Sequence, residues 1–258
     1  MRRCVFLFIA LLGPGVPATA DALPPRIAII IDDLGYARAS GLRAIDLPGP
    51  VAYAVLPGAP RAKQLAEKAH SSGKEVLLHL PLQAANEDGP AEPGSLLLDM
   101  SHAQFDQALT RDIDAVPYAI GINTHRGSLL TRHPGHMRWL MDNIADHGNL
   151  FFVDSYTTAR SVALDIAREN DVPSMKRDVF LDPDASPGTI DREFRRLKEI
   201  AREQGFALAI GHPHPATLDY LEKALPELAG EGIELVSISE LIDGSMRQGK
   251  QLEIASGQ

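Results

Sequence analysis

RIAIIIDDLG, the stretch from Arg26 to Gly35, is a run of branched apolar residues that ends in two adjacent carboxylates and a glycine. A run this short and this rich in β-branched residues is typical of a buried parallel strand rather than a helix. Ligands bind at the carboxyl edge of parallel sheets and barrels, so Asp32 and Asp33 lie where a site is expected. Neighbouring strand residues point to opposite sides, which predicts different roles for the two aspartates. Taken alone, the pair also fits a helix N-cap or a turn.

Short apolar runs of this kind recur along the chain, with amphipathic segments between them. The strand candidates are residues 26–31, 51–56, 75–79, 118–122, 150–154, 173–176, 206–211 and 234–238. Between the third and fourth, Ser101 and Gln104 form a capping-box pattern ahead of an apolar helical stripe. Strands that alternate with helices predict an α/β fold with a parallel sheet and right-handed crossovers. An irregular (β/α) barrel fits this number of units, and a doubly wound open sheet is the alternative.

The first twenty residues have the pattern of an export signal. Arg2 and Arg3 precede an apolar stretch from Cys4 to Leu12, and the segment ends in Ala-Thr-Ala at residues 18–20. This predicts a cleavable signal peptide over 1–20, with an uncleaved anchor as the alternative. The apolar stretch is too short to span a bilayer. We therefore expect a periplasmic or secreted protein without a membrane span after cleavage. Cleavage also removes the single cysteine, which suits an oxidising compartment.

The remaining chain has the length of one α/β domain, about 240 residues. We expect the barrel domain over 21–245 and a loosely held C-terminal tail over 246–258. The formal net charge of −9, with no basic cluster, argues against a nucleic-acid partner. Residues 83–98 hold several glycines and prolines and little periodicity, which predicts a loop inserted after the third strand, at the same edge as the aspartates. The oligomeric state is left open.

Histidines follow several of the predicted strands. His79 ends the third strand, His125 follows the fourth within GINTHRGS, and His212 and His214 follow a later strand within IGHPHP. Each has a simpler interpretation: a core histidine bonded to backbone, a polar turn, or a helix cap. Together with the aspartates, however, they fall at strand ends that parallel strands bring to one rim. One Asp and two His with an open position form a typical hydrolytic zinc set, which activates water and polarises a carbonyl.

Two further carboxylates are candidates for supporting roles. Asp154 ends FFVD, and Asp182 follows VFL at residues 179–181. Either carboxylate could orient a ligand histidine by accepting a hydrogen bond from its second ring nitrogen, or could cap a helix.

Five segments carry a resemblance to a known family: IDDLG at 31–35, LHLPL at 78–82, GINTHRGS at 121–128, FVDS at 152–155 and IGHPHP at 210–215. Through them the chain, from about Arg26 to Leu241, resembles the polysaccharide deacetylase superfamily and specifically its divergent envelope branch. The resemblance implies an irregular seven-stranded (β/α) barrel. It also implies a metal-dependent de-N- or de-O-acetylase whose substrate is a polysaccharide or a peptidoglycan-type glycan.

The metal-binding roles follow from the resemblance position by position. The first Asp of the family's pair is the usual base and the second a metal ligand, which implies these roles for Asp32 and Asp33. His79 matches the first of two ligand histidines, whereas Gln83 holds the place of the second. His125 is therefore the candidate for the third ligand, and zinc is the divalent ion we expect.

The remaining catalytic roles are the general acid and an arginine. The family's late-strand histidine, a general acid, maps onto His212, with His214 as the alternate. The arginine motif of active deacetylases is not recognisable at its usual place, and Arg126 is the candidate substitute.

Three functions are consistent with these residues. The first is an exported, metal-dependent carbohydrate deacetylase. The second, motivated by Gln83 and the missing arginine motif, is a catalytically inactive envelope protein that binds glycan or a protein partner. The third is a metal phosphohydrolase, which the few basic residues expected at the rim disfavour.

Overall fold

The computed structural model describes residues 23–86, 91–92 and 94–256, with the backbone alone for 248–256. The strands are β1 (Arg26–Leu34), β2 (Ala52–Val55), β3 (Val76–Leu82), β4 (Ala119–Arg126), β5 (Phe151–Asp154), β6 (Ser174–Lys176), β7 (Val179–Phe180), β8 (Phe206–Gly211) and β9 (Glu234–Leu235). The helices are α1 (Arg38–Ile45), α2 (Ala62–Ser71), α3 (His102–Ala115), α4 (Pro134–Asp146), α5 (Ala163–Glu169), α6 (Pro187–Gln204), α7 (Pro215–Ala224) and α8 (Ile238–Ser256).

The strands form one curled parallel sheet. Hydrogen bonds join them in the order β6-β5-β4-β3-β2-β1-β8-β7, and β9 also pairs with β1. Helices α1–α7 cover the outside, and α8 packs against the inner core. The α/β fold of the barrel type is confirmed, as a half-barrel with eight strands in line, rather than the seven expected, and the short β9 beside β1. The strand that the apolar pattern does not reveal is β7, which has only two residues. Since the strands are parallel, their carboxyl ends meet at one rim.

The alternation of β1 decides where the aspartates point. The outward residues Ile27, Ile29 and Ile31 join the large core under the helices, and the inward residues Ala28 and Ile30 join a second core inside the half-barrel. Successive strand residues point to opposite faces, so Asp32 continues the inward series. Its side chain is buried, as that position requires.

Local signals recognised in the sequence form the expected contacts. Ser101 caps α3 through the backbone N–H of Gln104, and the Gln104 side chain accepts from the Ser101 N–H, so the predicted capping box is confirmed. The connection between β3 and α3 returns along the end of β3, where Leu96 bridges to Leu82. The described part of the inserted segment therefore lies at the carboxyl rim of the sheet, as its position after the third strand predicts.

The predictions for the two ends of the chain can be compared with the structure only at the C-terminal end. The predicted signal peptide, 1–20, lies outside the described residues. At the other end, α8 continues through Met246 to Ser256, so the expected tail is largely helical. Residues 250–255, KQLEIA, are mostly good helix formers, which accounts for the extension. None of the helices described is both long enough and apolar enough to cross a bilayer.

Candidate metal centre

The carboxyl rim brings the three predicted ligands together. Asp33 Oδ1 lies 3.3 Å from His79 Nε2 and 3.1 Å from His125 Nδ1. The two imidazole nitrogens are 3.0 Å from each other. One oxygen and two nitrogens from β1, β3 and β4 thus converge on a single point, in a set compatible with a metal ion.

The backbone at Asp33 explains how both aspartates reach one centre, although neighbouring strand residues point to opposite sides. Asp33 has φ of 58°, in the left-handed region that non-glycine residues rarely occupy, and the β1–β2 register shifts between Ile31 and Leu34. The turn takes the Asp33 carboxylate out of the strand's alternation and towards the histidines. Arg126, at the end of β4, and Tyr156, just after β5, share this conformation, with φ of 56° and 51°. Strained backbone therefore clusters at three strand exits of one rim.

Asn123 links Asp32, the candidate base, to His79, a candidate ligand. Its Nδ2 donates to Asp32 Oδ1 over 2.7 Å, and its Oδ1 lies 2.8 Å from His79 Nδ1. Because the amide nitrogen is committed to Asp32, the amide oxygen is the acceptor for an Nδ1–H of His79. In the neutral ring, the lone pair is then on His79 Nε2, the nitrogen that faces Asp33. The sequence shows Asn123 only as one polar residue in a cluster.

His125 is held on its far side by a carboxylate that sequence reasoning missed. Glu92, in the segment after β3, places Oε2 2.8 Å from His125 Nε2. The hydroxyl of Tyr36 donates to the other oxygen, Oε1, over 3.0 Å. No local sequence pattern identifies Glu92, because it lies in an aperiodic segment and its partner, His125, is on β4.

The electrostatics of this cluster favour a cation. The buried Asp33 Oδ1 has no hydrogen bond of good geometry among the described residues. Burial acts to raise the pKa of Asp33, but the imidazoles of His125 and His79 outweigh it and hold that pKa well below its usual range. Burial lowers the pKa of His79, but the nearby carboxylates of Asp32 and Asp33 raise it more, and the pKa rises to about 8. The donor set therefore fits a divalent ion bound by one carboxylate and two imidazoles.

Asp32 differs from its neighbour in both partners and pKa. Burial raises its pKa, and the charges of His79 and His212 only partly counter that effect. Its Oδ2 lies 3.6 Å from His79 Nε2, beyond hydrogen-bond distance. The carboxyl lines a cavity of about 230 Å³ that is also lined by His79, His125 and His212.

His212 forms a dyad with Asp182. Its Nδ1 is 2.9 Å from Asp182 Oδ1, while Asp182 Oδ2 accepts from the His212 N–H and from Thr217 Oγ1. His212 Nε2 faces the centre, 3.7 Å from Asp33 Oδ2. Although burial lowers the pKa of His212, the bond to Asp182 raises it above the usual value. Of the two roles left open for Asp182, the structure supports orientation of a histidine.

His214 lies beside this dyad at the N-cap position of α7 and is exposed. Its ring centroid is 5.7 Å from that of His212. Asp182, His212 and His214 form a second group with metal-compatible spacing. The oxygens of Asp182 already accept three hydrogen bonds, so we interpret this group as an orienting network rather than as a second ion site.

Two arginines line the cavity, where the sequence led us to expect few basic residues. Arg177, after β6, donates from Nε to Ser155 O over 2.6 Å and from Nη2 to Tyr156 O over 3.2 Å. Burial lowers its pKa, while the charge of Asp32 acts in the opposite direction. Arg126, the candidate proposed from sequence, also lines the cavity.

Two other residues singled out from the sequence have structural partners. Gln83 Oε1 accepts from the Leu98 N–H over 2.8 Å, so this side chain holds the inserted segment. Asp154 accepts from the Tyr156 N–H and from Ser161 Oγ, which fixes the exit of β5. These bonds close a turn and do not cap α5, whose N-cap residue is Val162, so among the described residues Asp154 takes neither of the two roles suggested by the sequence.

Comparison with known proteins finds relatives in both sequence and fold. A family model described as divergent polysaccharide deacetylase matches residues 29–242. The uncharacterized protein YibQ of Escherichia coli (strain K12) is 37% identical over 242 residues, which cover 94% of this chain and 74% of YibQ. The crystal structure of an uncharacterized protein from Agrobacterium tumefaciens C58 has a TM-score of 0.81 and 26% identity, and the match covers 86% of this chain and 91% of that one. Peptidoglycan deacetylase PdaC from Bacillus subtilis, in a mutant form, shares the fold with a TM-score of 0.54 and 15% identity, over 91% of this chain and 98% of that one.

Proposed function

This chain belongs to the divergent polysaccharide deacetylase family, and from that premise we propose that it is an exported, divalent-metal-dependent deacetylase. Its reaction is hydrolysis of N- or O-acetyl groups on a polysaccharide, with a peptidoglycan-type glycan as the first substrate to test. The observation that carries the proposal is the convergence of Asp33 Oδ1, His79 Nε2 and His125 Nδ1 beside a cavity.

Asp33, His79 and His125 would hold the ion. A ligand set of one carboxylate and two imidazoles is common in hydrolytic zinc sites and leaves a position open for water or substrate. When bound, the ion supplies Lewis-acid polarisation of an acetyl carbonyl and activation of water. Zinc is our first expectation, although imidazole and carboxylate ligands also suit other first-row metals.

Asp32 is assigned the general base. Its carboxyl lines the cavity, and Asn123 holds one of its oxygens by a 2.7 Å hydrogen bond. The second oxygen, Oδ2, is left to accept a proton from the attacking water. Since burial raises the pKa of Asp32, this carboxylate is a stronger base than an exposed aspartate.

His212 is assigned the general acid. Its bond to Asp182 fixes Nδ1 as the donor side, and Nε2 faces the cavity, where it would protonate a leaving amine or alkoxide. The raised pKa of His212 keeps more of the imidazole protonated near neutral pH. His214, the alternate suggested by the sequence, is exposed beside this group and would take the acid role only if His212 were lost.

Export is supported by the charged and apolar pattern of residues 1–20 and by the single cysteine within it. A glycan of the cell envelope is accessible to a protein in the periplasm or outside the cell.

The test combines elemental analysis with an acetate-release assay. The protein without residues 1–20 is purified, its bound metals are measured, and it is incubated with acetylated peptidoglycan fragments and chitooligosaccharides. We expect about one divalent ion per chain and release of acetate, both lost on treatment with a chelator. Metal binding without acetate release across the panel would instead favour the non-catalytic envelope protein.

A further inference from the structure

Glu92 makes two contacts that the proposed mechanism does not use. Its Oε2 is 2.8 Å from His125 Nε2, and its Oε1 accepts from the Tyr36 hydroxyl over 3.0 Å. The carboxylate is only 16% exposed. Both oxygens of a nearly buried acid are therefore engaged at the edge of the candidate metal centre.

The two nitrogens of His125 face different surroundings. Nδ1 points at Asp33 Oδ1 and His79 Nε2, at 3.1 and 3.0 Å, whereas Nε2 points at Glu92. A neutral imidazole carries one N–H and one lone pair. Both nitrogens of His125 face a carboxylate, but an ion at the point that Nδ1 faces needs the lone pair of Nδ1, so the proton then belongs on Nε2, where the ionised Glu92 accepts it. The lone pair is then on Nδ1, directed at the point where the other two ligand atoms converge.

His79 is oriented in a parallel way by an amide. Asn123 Oδ1 lies 2.8 Å from His79 Nδ1, which leaves the lone pair on Nε2. Each imidazole of the centre thus has its own partner behind it, Asn123 for His79 and Glu92 for His125. The segment after β3 contributes through Glu92 and not through Gln83, whose amide oxygen is taken by the Leu98 N–H.

We propose that Glu92 is the positioning residue that makes His125 a metal ligand, and that Tyr36 holds the Glu92 carboxylate in place. The inference rests on the metal centre of the proposed function but does not require that the protein release acetate. Carboxylates behind ligand histidines fix the tautomer and ring orientation and raise ligand basicity, and their loss typically weakens metal binding about 10–100-fold.

The rival explanation is that Glu92 merely anchors the inserted segment to the half-barrel. An anchor affects the stability of the metal-free fold, but it has no reason to control which nitrogen of His125 is protonated. The two explanations therefore differ in the tautomer of His125 and in metal affinity at equal stability.

The first experiment measures Zn²⁺ affinity by competition with a chromogenic chelator. Glu92→Met keeps the length of the side chain but removes the acceptor, and we expect its affinity to fall about 10–100-fold. Glu92→Gln, whose amide oxygen can accept the same proton, should stay within about 5-fold of the unaltered protein. Tyr36→Phe should fall between the two. The control is Glu203→Ala, on the exposed face of α6, which should change nothing.

The second experiment identifies the tautomer. Long-range ¹H–¹⁵N spectra of the Zn²⁺-loaded protein are recorded, and His125 is assigned by comparison with His125→Asn. We expect Nδ1 bound to zinc and the proton on Nε2 in the unaltered protein and in Glu92→Gln, and loss of that single pattern in Glu92→Met.

An Nδ1–H tautomer in the unaltered protein would overturn the inference, even if Glu92→Met fails to fold. So would a folded Glu92→Met protein with unchanged Zn²⁺ affinity. Failure of the deacetylase proposal has a different outcome: the protein releases no acetate, but Glu92→Met still weakens Zn²⁺ binding and changes the protonation pattern of His125.

Discussion

Asn123 donates a 2.7 Å hydrogen bond to the buried carboxylate of Asp32, although 91 positions separate the two residues in the chain. The same amide accepts from His79. One side chain thus sets the geometry of the proposed base and of a proposed metal ligand together. A change at Asn123 is expected to affect both proton transfer and metal binding.

Asn123→Ala tests that coupling. The hydrogen bond from Asn123 lowers the pKa of Asp32 against the effect of burial, so its loss raises that pKa further. A base must be deprotonated, and the acid limb of kcat/KM against pH should therefore move to higher pH. Zn²⁺ affinity should fall about 10-fold, as for other residues that orient a ligand. The matched control is Asn143→Ala, which removes an amide that donates to Asp106 on the surface of α3 and α4. An unchanged acid limb would contradict the assignment of Asp32 as base.

Asp33→Asn tests the metal ligand without backbone strain. Asn tolerates the left-handed φ of 58° as well as Asp does, so the fold should be retained. We expect loss of most bound metal and at least about 100-fold less acetate release, since one anionic ligand is replaced by a weak neutral one. Asp171→Asn is the control, because Asp171 has φ of 55° and is exposed away from the centre. Full metal content in Asp33→Asn would remove Asp33 from the ligand set.

Asp182→Asn should shift the opposite limb of the pH profile. The hydrogen bond and charge of Asp182 raise the pKa of His212, so its neutralisation lowers that pKa. A general acid works only while protonated, and the basic limb of acetate release is therefore expected to move to lower pH. Metal content should stay near that of the unaltered protein. If the basic limb stays in place while activity falls, His212 is not the group that titrates there.

Gln83→Ala tests the interpretation that Gln83 is structural. Its side chain satisfies the Leu98 N–H, and removal of a hydrogen-bond partner costs about 1 kcal/mol. We expect a slightly lower free energy of unfolding, measured in urea, with unchanged Zn²⁺ affinity. A large loss of metal affinity would show that Gln83 contributes to the centre after all.

Asp112, on α3 and away from the centre, links stability to pH. Its side chain is buried, Oδ2 has no hydrogen-bond partner among the described residues, and burial raises its pKa from 3.8 to about 7. Between these values the folded state binds more protons than the unfolded state, so stability falls as pH rises from about 4 to about 7. Asp112→Asn should abolish this fall and stabilise the protein at pH 8, by at most roughly 4 kcal/mol. Urea unfolding at pH 5 and pH 8 measures the difference, and an equal effect at both pH values would contradict the linkage.

Much of the centre was predictable from strand ends. Asp33, His79 and His125 each follow or end an apolar run, and parallel strands bring such ends to one rim. That rule needs only the order of elements and the side-chain alternation of a strand. It identified the proposed ligands correctly as neighbours, with distances of 3.1 and 3.3 Å to Asp33 Oδ1.

The partners behind those residues were not predictable. Glu92 lies in a segment without periodicity, and Arg177 is one of 25 basic residues with no distinguishing pattern. Their contacts depend on how the segment after β3 folds back along the rim and on how the short β6 exits the sheet. Neither follows from local propensity, because each contact joins residues on different elements.

The amino-acid sequence by itself determined the alternation of strands and helices and the set of rim residues, because periodicity and parallel pairing act over a few residues at a time. Only the tertiary structure decided which atoms meet. The left-handed turn at Asp33, the amide bridge from Asn123 to Asp32 and the carboxylate of Glu92 behind His125 each depend on packing between distant segments. Side-chain orientation within a buried polar network is set by all its partners together, and those partners are assembled only when the sheet curls.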